Sequence, residues 1–494
     1  MRFCVLLTVL LCNCCIVVAG QYHYRYTDNC RAAYQQYMAL LPENARAKLR
    51  NELISDPYNL MATYISDYED CLLLLFNGNR VDYNQLKHHQ YERLKLMERG
   101  DESSPWHRLC QAGIYMHWAF VHLRFNENLK AGTNFRKSFL LLKENQRLFP
   151  RFEYDDIFLG IEEATVGSLP ENYKWIASIL GMRGNIHSGA AKVKQYINGH
   201  DENDLFYNEA LIYYAYLSYY VLSDKDEAWR TVSTGNFETS DNLLNTFVKT
   251  NIAINYRKAS VAQNLLQQAS QWDNYARYPV FDYEYGYALL HALDYSAVNK
   301  FRSFLSTYKG SIFVKDAWQK LAYAYYLQGD RKMAEYCREK IVKSGTANTD
   351  SDKQALRFAQ QSSWPHPALL KAQLLTDGGY YHKAQKILSA TTPDDYNTIP
   401  LQLEYYFRLA RVNDELGSTR TAIQHYKKAI EIGRNRPEQY AARSALQLGF
   451  LYEKNSQGEN AVRMFELALS MQDHDFKNSI DQQAKAGINR LRKQ

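Results

Sequence analysis

The sequence predicts an all-α protein built as a superhelical array of antiparallel helical hairpins, an α-solenoid. Proline (11) and glycine (23) are sparse among the 494 residues, which suits long helices joined by short turns. From Arg31 onward, apolar residues recur with helical period through nearly all of the chain. Between Leu401 and Ser470, one spacing of large, small and aromatic residues occurs twice. A repeated helical unit of this kind favours a solenoid over separate globular domains.

The two copies each consist of a helix, a turn and a second helix. A small residue at a helix crossing lets the backbones approach, and a large neighbour fills the groove. The first copy comprises Tyr406, Leu409, Ala410, Asn413, Gly417, Ala422, Tyr426 and Ala429. The second copy comprises Ala445, Leu448, Gly449, Tyr452, Ala461, Phe465 and Ala468. This order and these gaps resemble the tetratricopeptide repeat (TPR). Together with the N-terminal segment described next, the resemblance indicates an exported bacterial member of that superfamily.

The first twenty residues are expected to be a signal peptide. Arg2 precedes an apolar run to Val18, and small residues then allow cleavage after Ala19 or Gly20. A retained membrane anchor is disfavoured because the run is shorter than the roughly 20 residues that a spanning helix needs. Lipidation is a second alternative, since Cys12, Cys14 and Cys15 lie late in the run. We therefore expect an exported protein, periplasmic or associated with the outer membrane, with no transmembrane segment in the mature chain.

The composition gives no support for nucleic-acid binding, and it is unusual in its high tyrosine content. The net charge of +6 is small for this length, and the sequence contains no dense stripe of Lys and Arg. Nucleic-acid binding is therefore not expected. Tyrosine is abundant, with 40 residues. A tyrosine ring can pack between helices while its hydroxyl reaches water. The alternative is a tyrosine surface that stacks on a sugar or a peptide.

Four cysteines remain after the signal peptide, at positions 30, 71, 110 and 337. An oxidising compartment permits disulfides, and four cysteines allow three pairings. Cys71 and Cys110 lie in apolar helical sequence, which is typical of buried thiols. We expect at most one disulfide, within the N-terminal third.

Residues 21–205 are expected to form an irregular region of helical hairpins. Capping residues and apolar stripes predict helices over Asn59–Phe76, Tyr83–Arg99, Trp106–Phe125 and Ala131–Phe149. The glycines of Ile157–Asn185 fit no phosphate-binding loop, so they predict close helix packing.

Residues 206–282 are expected to link this region to the repeats of residues 283–472. Residues 473–494 then form a helix that caps the apolar edge of the last repeat. The small residues Ala334, Ala384, Ala422 and Ala461 lie 50, 38 and 39 residues apart, whereas the standard TPR length is 34. The longest gap predicts an insertion at Gly345–Ser351.

No catalytic or metal-binding motif is present, so we expect no enzyme, no bound metal and no cofactor. His88 and His89 are expected to point to different faces, and His117 to His122 is not the i, i+4 spacing of a helical metal site. The acidic pair at positions 162 and 163 has no partner that the sequence identifies.

The TPR resemblance implies a protein or peptide partner on the concave face of each first helix. The Lys/Asn clamp of the chaperone-docking version is not reproduced. Carried over onto this chain, the partner-binding positions include Tyr323, Tyr326, Phe407, Arg411, Arg443 and Phe450. The expected function is a non-enzymatic, exported protein-interaction scaffold of the cell envelope. A module capturing carbohydrate or peptide through surface tyrosines, and a helical-repeat enzyme with dispersed acidic residues, are the alternatives.

Overall fold

The computed structural model describes residues 21–169 and 184–492, and these residues fold into α-helices joined by short turns. Their one extended contact is an isolated bridge between His23 and Asn59. The predicted all-α class is confirmed. The predicted signal peptide and the segment that Pro170 begins lie outside the described residues. Across the described ranges, no helix has both the length and the apolar character that crossing a membrane requires.

The helices are numbered in chain order. They are α1 (Asp28–Met38), α2 (Pro42–Ser55), α3 (Leu60–Asn77), α4 (Arg80–Leu86), α5 (His89–Met97), α6 (Pro105–Arg124), α7 (Asn128–Leu148), α8 (Tyr154–Gly167), α9 (Ile186–Gly199), α10 (Tyr207–Tyr216), α11 (Lys225–Ser233), α12 (Leu243–Asn255), α13 (Ala259–Ala269), α14 (Val280–His291), α15 (Ala297–Thr307), α16 (Val314–Leu327), α17 (Arg331–Lys343), α18 (Asp350–Gln360), α19 (Pro367–Asp377), α20 (Tyr381–Ser389), α21 (Ile399–Glu415), α22 (Thr419–Gly433), α23 (Tyr440–Lys454), α24 (Gly458–Ser470) and α25 (Lys477–Arg492). A π-helical turn, Leu217–Val221, continues α10.

One turn geometry recurs in eight hairpins of the described residues. After the first helix, one residue has a left-handed backbone, and the next N–H donates to the carbonyl five residues back. In the α16–α17 turn, for example, Asp330 N donates to Tyr325 O at 3.0 Å. This pattern is the Schellman motif, which satisfies a carbonyl group at the helix end. The left-handed residues are Leu40, Asn126, Arg257, Leu293, Gly329, Gly379, Gly417 and Ser456. The same turn therefore occurs on both sides of residue 283, the predicted start of the regular repeats.

Small residues lie where the paired helices cross, as the spacing predicts. The four alanines of the repeat spacing, Ala334, Ala384, Ala422 and Ala461, have no solvent exposure. Between α8 and α9, a side-chain carbon added at Gly160 would lie 2.6 Å from Gly189 O, and one added at Gly189 would lie 2.3 Å from Gly160 O. The predicted close packing of this glycine cluster is confirmed for that pair.

The predicted insertion is larger than a loop. Instead of a short segment at Gly345–Ser351, the chain forms the additional helix α18, which accounts for the 50-residue gap in the repeat spacing. Asp352 fixes α18 to the start of α16, because its carboxyl oxygens accept from Phe313 N at 2.7 Å and from Asp316 N at 3.2 Å. A buried carboxyl at a helix N-terminus satisfies amide groups that lack helical partners.

The single helix predicted over Tyr83–Arg99 is wrong, because the chain forms α4 and α5 with a break between them. Tertiary contacts explain the break. His89 Nδ1 contacts Asp70 Oδ2 at 2.8 Å, and Arg93 Nη1 pairs with the same oxygen at 2.7 Å. These bonds hold α5 against α3 and override the local helical period. His88 lies near the exposed Glu92 and His89 contacts Asp70 of α3, although their ring centroids are only 4.5 Å apart.

The cysteines of the described residues, at positions 30, 71, 110 and 337, are buried and unpaired in this structure. Burial raises the pKa of the Cys71 and Cys110 thiols well above the usual value. The expected buried helical thiols are therefore confirmed at these two positions, and no disulfide joins the cysteines of residues 30, 71, 110 and 337.

Tyrosine hydroxyl groups bond to buried carboxyl groups between helices. Glu209, which is 3% exposed, accepts from Tyr34 at 3.0 Å, from Tyr68 at 2.7 Å and from Tyr213 at 2.7 Å. These bonds connect α1, α3 and α10. Burial, followed by the charge of Glu209, raises the pKa of Tyr68 well above its usual value, so its hydroxyl stays protonated and donates. The predicted role of tyrosine between helices holds here, but a carboxyl group replaces water as the partner.

The substitution Tyr68→Phe should weaken α3 without changing its apolar packing. Removing one donor to a buried carboxyl group costs about 1.5 to 3 kcal/mol. We expect faster amide hydrogen exchange across Leu60–Asn77, measured by mass spectrometry. The exposed Tyr91, of which 68% is accessible, supplies the control Tyr91→Phe. Equal exchange in the two variants would contradict the structural role of this bond.

Replacing Ala422 by Arg should open the region from Leu401 to Ser470. The fully buried alanine leaves no room for a long charged side chain, and burying an unpaired charge costs several kcal/mol. We expect an early melting transition and rapid hydrogen exchange within this region. The variant Gln424→Arg places the same side chain on the exposed face of α22. A melting curve for Ala422→Arg like those of Gln424→Arg and the wild type would refute the helix register.

Candidate functional site

A closed circuit of contacts joins helices from the middle and the end of the chain. On one side, Tyr287 of α14 donates to Asp316 of α16 at 2.7 Å. Tyr323, farther along α16, lies edge-to-face on Phe358 of α18, with ring centroids 5.0 Å apart. The inserted helix α18 is thereby fixed beside the first helix of its hairpin.

Phe476, just before α25, closes the circuit. The guanidinium carbon of Arg357 on α18 lies 4.7 Å from the centroid of its ring, and that of Arg443 on α23 lies 5.1 Å from it. Cation–π contacts of this kind join α18 to α23, although the two arginines are far apart in the sequence.

Three first helices complete the circuit on the other side. Arg411 of α21 donates to Gln447 of α23 at 2.6 Å, and Arg408 of α21 donates to Gln373 of α19 at 2.8 Å. At the end of α19, a side-chain carbon placed on Gly378 would lie 2.7 Å from Cβ of His291, the last residue of α14. The path from α14 through α16, α18, α23, α21 and α19 therefore returns to α14.

We use the name arginine cleft for six side chains from three of these helices that interact electrostatically. They are partly exposed rather than buried in the core. The side chains of Glu404 and Arg408 are 12% and 13% exposed. They comprise Tyr323, Glu404, Arg408, Arg411, Tyr440 and Arg443.

The electrostatics of the arginine cleft connect its two sides. Burial is the main cause that raises the pKa of Tyr323 and of Tyr440. The charge of Glu404 also raises both values, so this carboxyl group on α21 acts on a tyrosine of α16 and on one of α23. Both phenols stay protonated at neutral pH and can donate hydrogen bonds.

Two of the three arginines in the cleft have carboxylate partners. Arg408 Nε donates to Glu404 Oε1 at 2.7 Å. Arg411 Nη2 pairs with Glu415 Oε1 at 2.8 Å, and its Nη1 lies 3.7 Å from Asp414 Oδ2. Pairing fixes these two guanidinium groups and offsets their charge.

Arg443 differs from its two neighbours. Among the described residues, no carboxylate lies within ion-pair distance of its guanidinium, whose contact is the ring face of Phe476. Burial lowers the pKa of Arg443 and the positive charge of Arg408 lowers it further, although Tyr440 and the carboxylate of Asp377 act in the opposite direction. Its planar fork of N–H donors is suited to hold a carboxylate by two hydrogen bonds.

The structure brings three of the predicted partner-binding residues together. Tyr323, Arg411 and Arg443 all belong to the arginine cleft. The sequence analysis did not predict Arg408, which follows the predicted Phe407 by one position. Arg408 and Arg411 are three residues apart, and residues at i and i+3 share a helix face. That spacing could have predicted Arg408.

The other three predicted residues lie elsewhere. Tyr326 is buried, stacks on Trp364 with ring centroids 4.5 Å apart, and donates to a backbone carbonyl. Phe407 is buried with 8% exposure. Phe450 packs edge-on against Phe465 with centroids 5.1 Å apart. The partner-binding role of all six residues stays a prediction.

Three of the remaining residues singled out in the sequence have hydrogen-bond partners. His117 Nδ1 contacts Asp67 at 2.9 Å, and His122 Nδ1 contacts the hydroxyl of Tyr83 at 3.0 Å, so both histidines pack inside the fold. Glu163 bonds to two lysine side chains, one from α7 and one from α9. Its neighbour Glu162 is fully buried, and among the described residues its carboxyl oxygens have no hydrogen-bond partner. Burial raises the pKa of Glu162 well above the usual value.

Comparison with known proteins supports the repeat. The family model for the tetratricopeptide repeat matches residues 403–435, which lie in α21 and α22. No curated protein matches this chain. Among solved structures, the human IFIT1 dimer with m7Gppp-AAAA is 14% identical, with 90% of each chain covered and a TM-score of 0.36.

Two further solved structures resemble the chain weakly. The TPR domain of P58(IPK) is 11% identical, covers 86% of this chain and 97% of its own, and has a TM-score of 0.22. The APC/C hetero-tetramer Cut9-Hcn1 is 12% identical, with 93% and 95% covered and a TM-score of 0.27. From the family match and the hairpins described above, the chain is a helical-repeat protein that carries a tetratricopeptide repeat at residues 403–435.

Proposed function

We propose that this protein is a non-enzymatic scaffold that binds an acidic segment of a protein partner in the arginine cleft. The observation that supports it is the partly buried guanidinium of Arg443, which has no carboxylate partner among the described residues. A carboxylate from a partner would complete its hydrogen bonds and offset its charge. Burying a guanidinium without an ion-pair partner costs free energy, and a bound anion would reduce that cost.

The composition of the arginine cleft suits a protein better than a small molecule. Arginine and tyrosine are enriched at the energetic centres of protein interfaces. Tyr323 and Tyr440 offer apolar ring surface beside donors for a peptide backbone or side chain. The first helices of a solenoid also present a continuous surface along which an extended segment can lie.

The two alternative functions receive less support. Many tyrosine hydroxyl groups are used within the fold, such as those that bond to Glu209 and Asp316, which disfavours a sugar-binding tyrosine surface. The carboxyl groups of Glu404 and Glu415 are paired with arginines. Paired carboxylates are poor proton acceptors, which disfavours an acid–base enzyme in the arginine cleft.

The proposal includes an envelope location. The apolar run that ends at Val18 and the small residues after it support export. We infer that the mature scaffold lies in the periplasm, or peripherally on the outer membrane, of a bacterium with two membranes. Its partner would then be another envelope protein, and the scaffold would hold an envelope complex together.

Charge reversal at Arg443 should weaken the binding of acidic peptides. A random peptide library selected on the purified protein should become enriched in Asp and Glu. For a selected peptide, Arg443→Glu should lower the affinity about 30-fold, roughly 2 kcal/mol, as for a central interface arginine. Fluorescence anisotropy measures this change, and added salt should weaken wild-type binding.

Arg434→Glu is the matched control, because it makes the same charge change at an exposed position after α22. It should bind the selected peptides like the wild type. The proposal fails if the enriched peptides carry no excess of acidic residues, or if Arg443→Glu and Arg434→Glu bind them equally.

Export should be visible in the mature protein. Expression of the full chain in a bacterium with two membranes should give a product that begins at Gly20 or Gln21, as mass spectrometry of the N-terminal peptide would show. Cell fractionation should recover it outside the cytoplasm. An uncleaved product confined to the cytoplasm would exclude the proposed location while leaving the arginine cleft unaffected.

A further inference from the structure

The break between α4 and α5 places two histidines side by side. Consecutive side chains on an α-helix diverge by about 100°, yet the ring centroids of His88 and His89 are 4.5 Å apart. No glycine or proline occurs at the break. The two imidazoles at the start of α5 are therefore close enough to share one ligand.

Glu92 adds a third potential ligand. One ring nitrogen of each histidine and one carboxylate oxygen of Glu92 all lie within 4.8 Å of one another. Glu92 follows His88 by one helical turn, and its Oε1 lies 3.7 Å from His88 Nε2. Both side chains are largely exposed, at 59% and 62%, so small rotations can bring the three atoms to metal-binding distances.

A buried carboxyl group orients the second histidine. Asp70 Oδ2 lies 2.8 Å from His89 Nδ1, and the Asp70 side chain is 8% exposed. Since a carboxylate accepts, Nδ1 carries the proton and Nε2 keeps its lone pair for a metal. Arg93 in turn fixes Asp70, with its Nη1 2.7 Å from the same oxygen. A carboxylate behind a histidine is the usual outer support of a metal ligand.

We propose that His88, His89 and Glu92 bind a divalent transition metal, with Asp70 as the residue that positions His89. Two imidazole nitrogens and one carboxylate oxygen form a ligand set that zinc accepts, and water fills the fourth position. Bound metal would fix the N-terminal end of α5. The exposed location allows the ion to exchange with the surrounding medium.

Zinc titration of the full-length mature protein tests the proposal. The protein is stripped with EDTA, freed of any histidine tag, and titrated with ZnCl2 in a calorimeter. We expect one equivalent to bind, and we expect His88→Ala, His89→Ala and Glu92→Gln each to lose that binding. His382→Ala, which removes another exposed histidine, should bind like the wild type. Unchanged stoichiometry in all three ligand variants would overturn the proposal.

Cobalt supplies a second readout that folding alone does not change. Co2+ bound by His88, His89 and Glu92 should give visible absorption bands, and excess Zn2+ should remove them. Asp70→Asn should weaken the affinity about 10- to 100-fold, as loss of an outer carboxylate does. Hydrogen exchange across α5 checks that this variant keeps its fold. Identical cobalt spectra for the wild type and His89→Ala would exclude His89 as a ligand.

Discussion

Hydrogen bonds from tyrosine hydroxyl groups to buried carboxyl groups hold helices of this array together, including helices far apart in the sequence. A solenoid hairpin cannot cover its own apolar surface, so its neighbour must lie in a fixed register against it. A tyrosine contributes ring area and a donor at once, and a buried carboxyl group is tolerated only when donors satisfy it. Glu209 connects α1, α3 and α10 in this way, and Asp316 connects α14 and α16. The abundance of tyrosine thus has a structural cause.

The fixed register determines which side chains meet on the first helices. Because α19, α21 and α23 lie side by side, Arg408 and Arg411 bond to glutamines of the adjacent helices. The inserted helix α18 extends the array toward the C-terminal helix, and Phe476 spans that distance between two arginines. The circuit leaves Arg443 partly buried without a carboxylate partner in the described chain. The same packing that stabilises the array therefore prepares a site for an acidic partner.

The sequence predicts most of the fold and about half of the proposed site, and the errors have physical causes. Glycine marks the left-handed turns at Gly329, Gly379 and Gly417, but Arg257 and Leu293 adopt the same backbone and carry no such signal. Helical period cannot reveal the break before His89, because contacts with α3 produce it. Residues on a helix rotate by about 100° per position. Phe407 and Arg408 are neighbours, yet Phe407 is buried and Arg408 is partly exposed, so a choice that differs by one position selects a core residue. Contacts between residues far apart in the sequence, such as those of Phe476 with Arg357 and Arg443, leave no local sequence pattern that could predict them.

Site-specific photo-crosslinking tests the proposed function of the arginine cleft most directly. A photoreactive phenylalanine analogue replaces Tyr440 in the cells that naturally make the protein, and mass spectrometry identifies the crosslinked peptides. We expect one reproducible envelope protein, joined through a segment rich in Asp and Glu, and loss of that product when Arg443→Glu is combined with the probe. Recovery of no reproducible partner, or of one that persists with Arg443→Glu, would contradict the proposal that this scaffold binds through the arginine cleft.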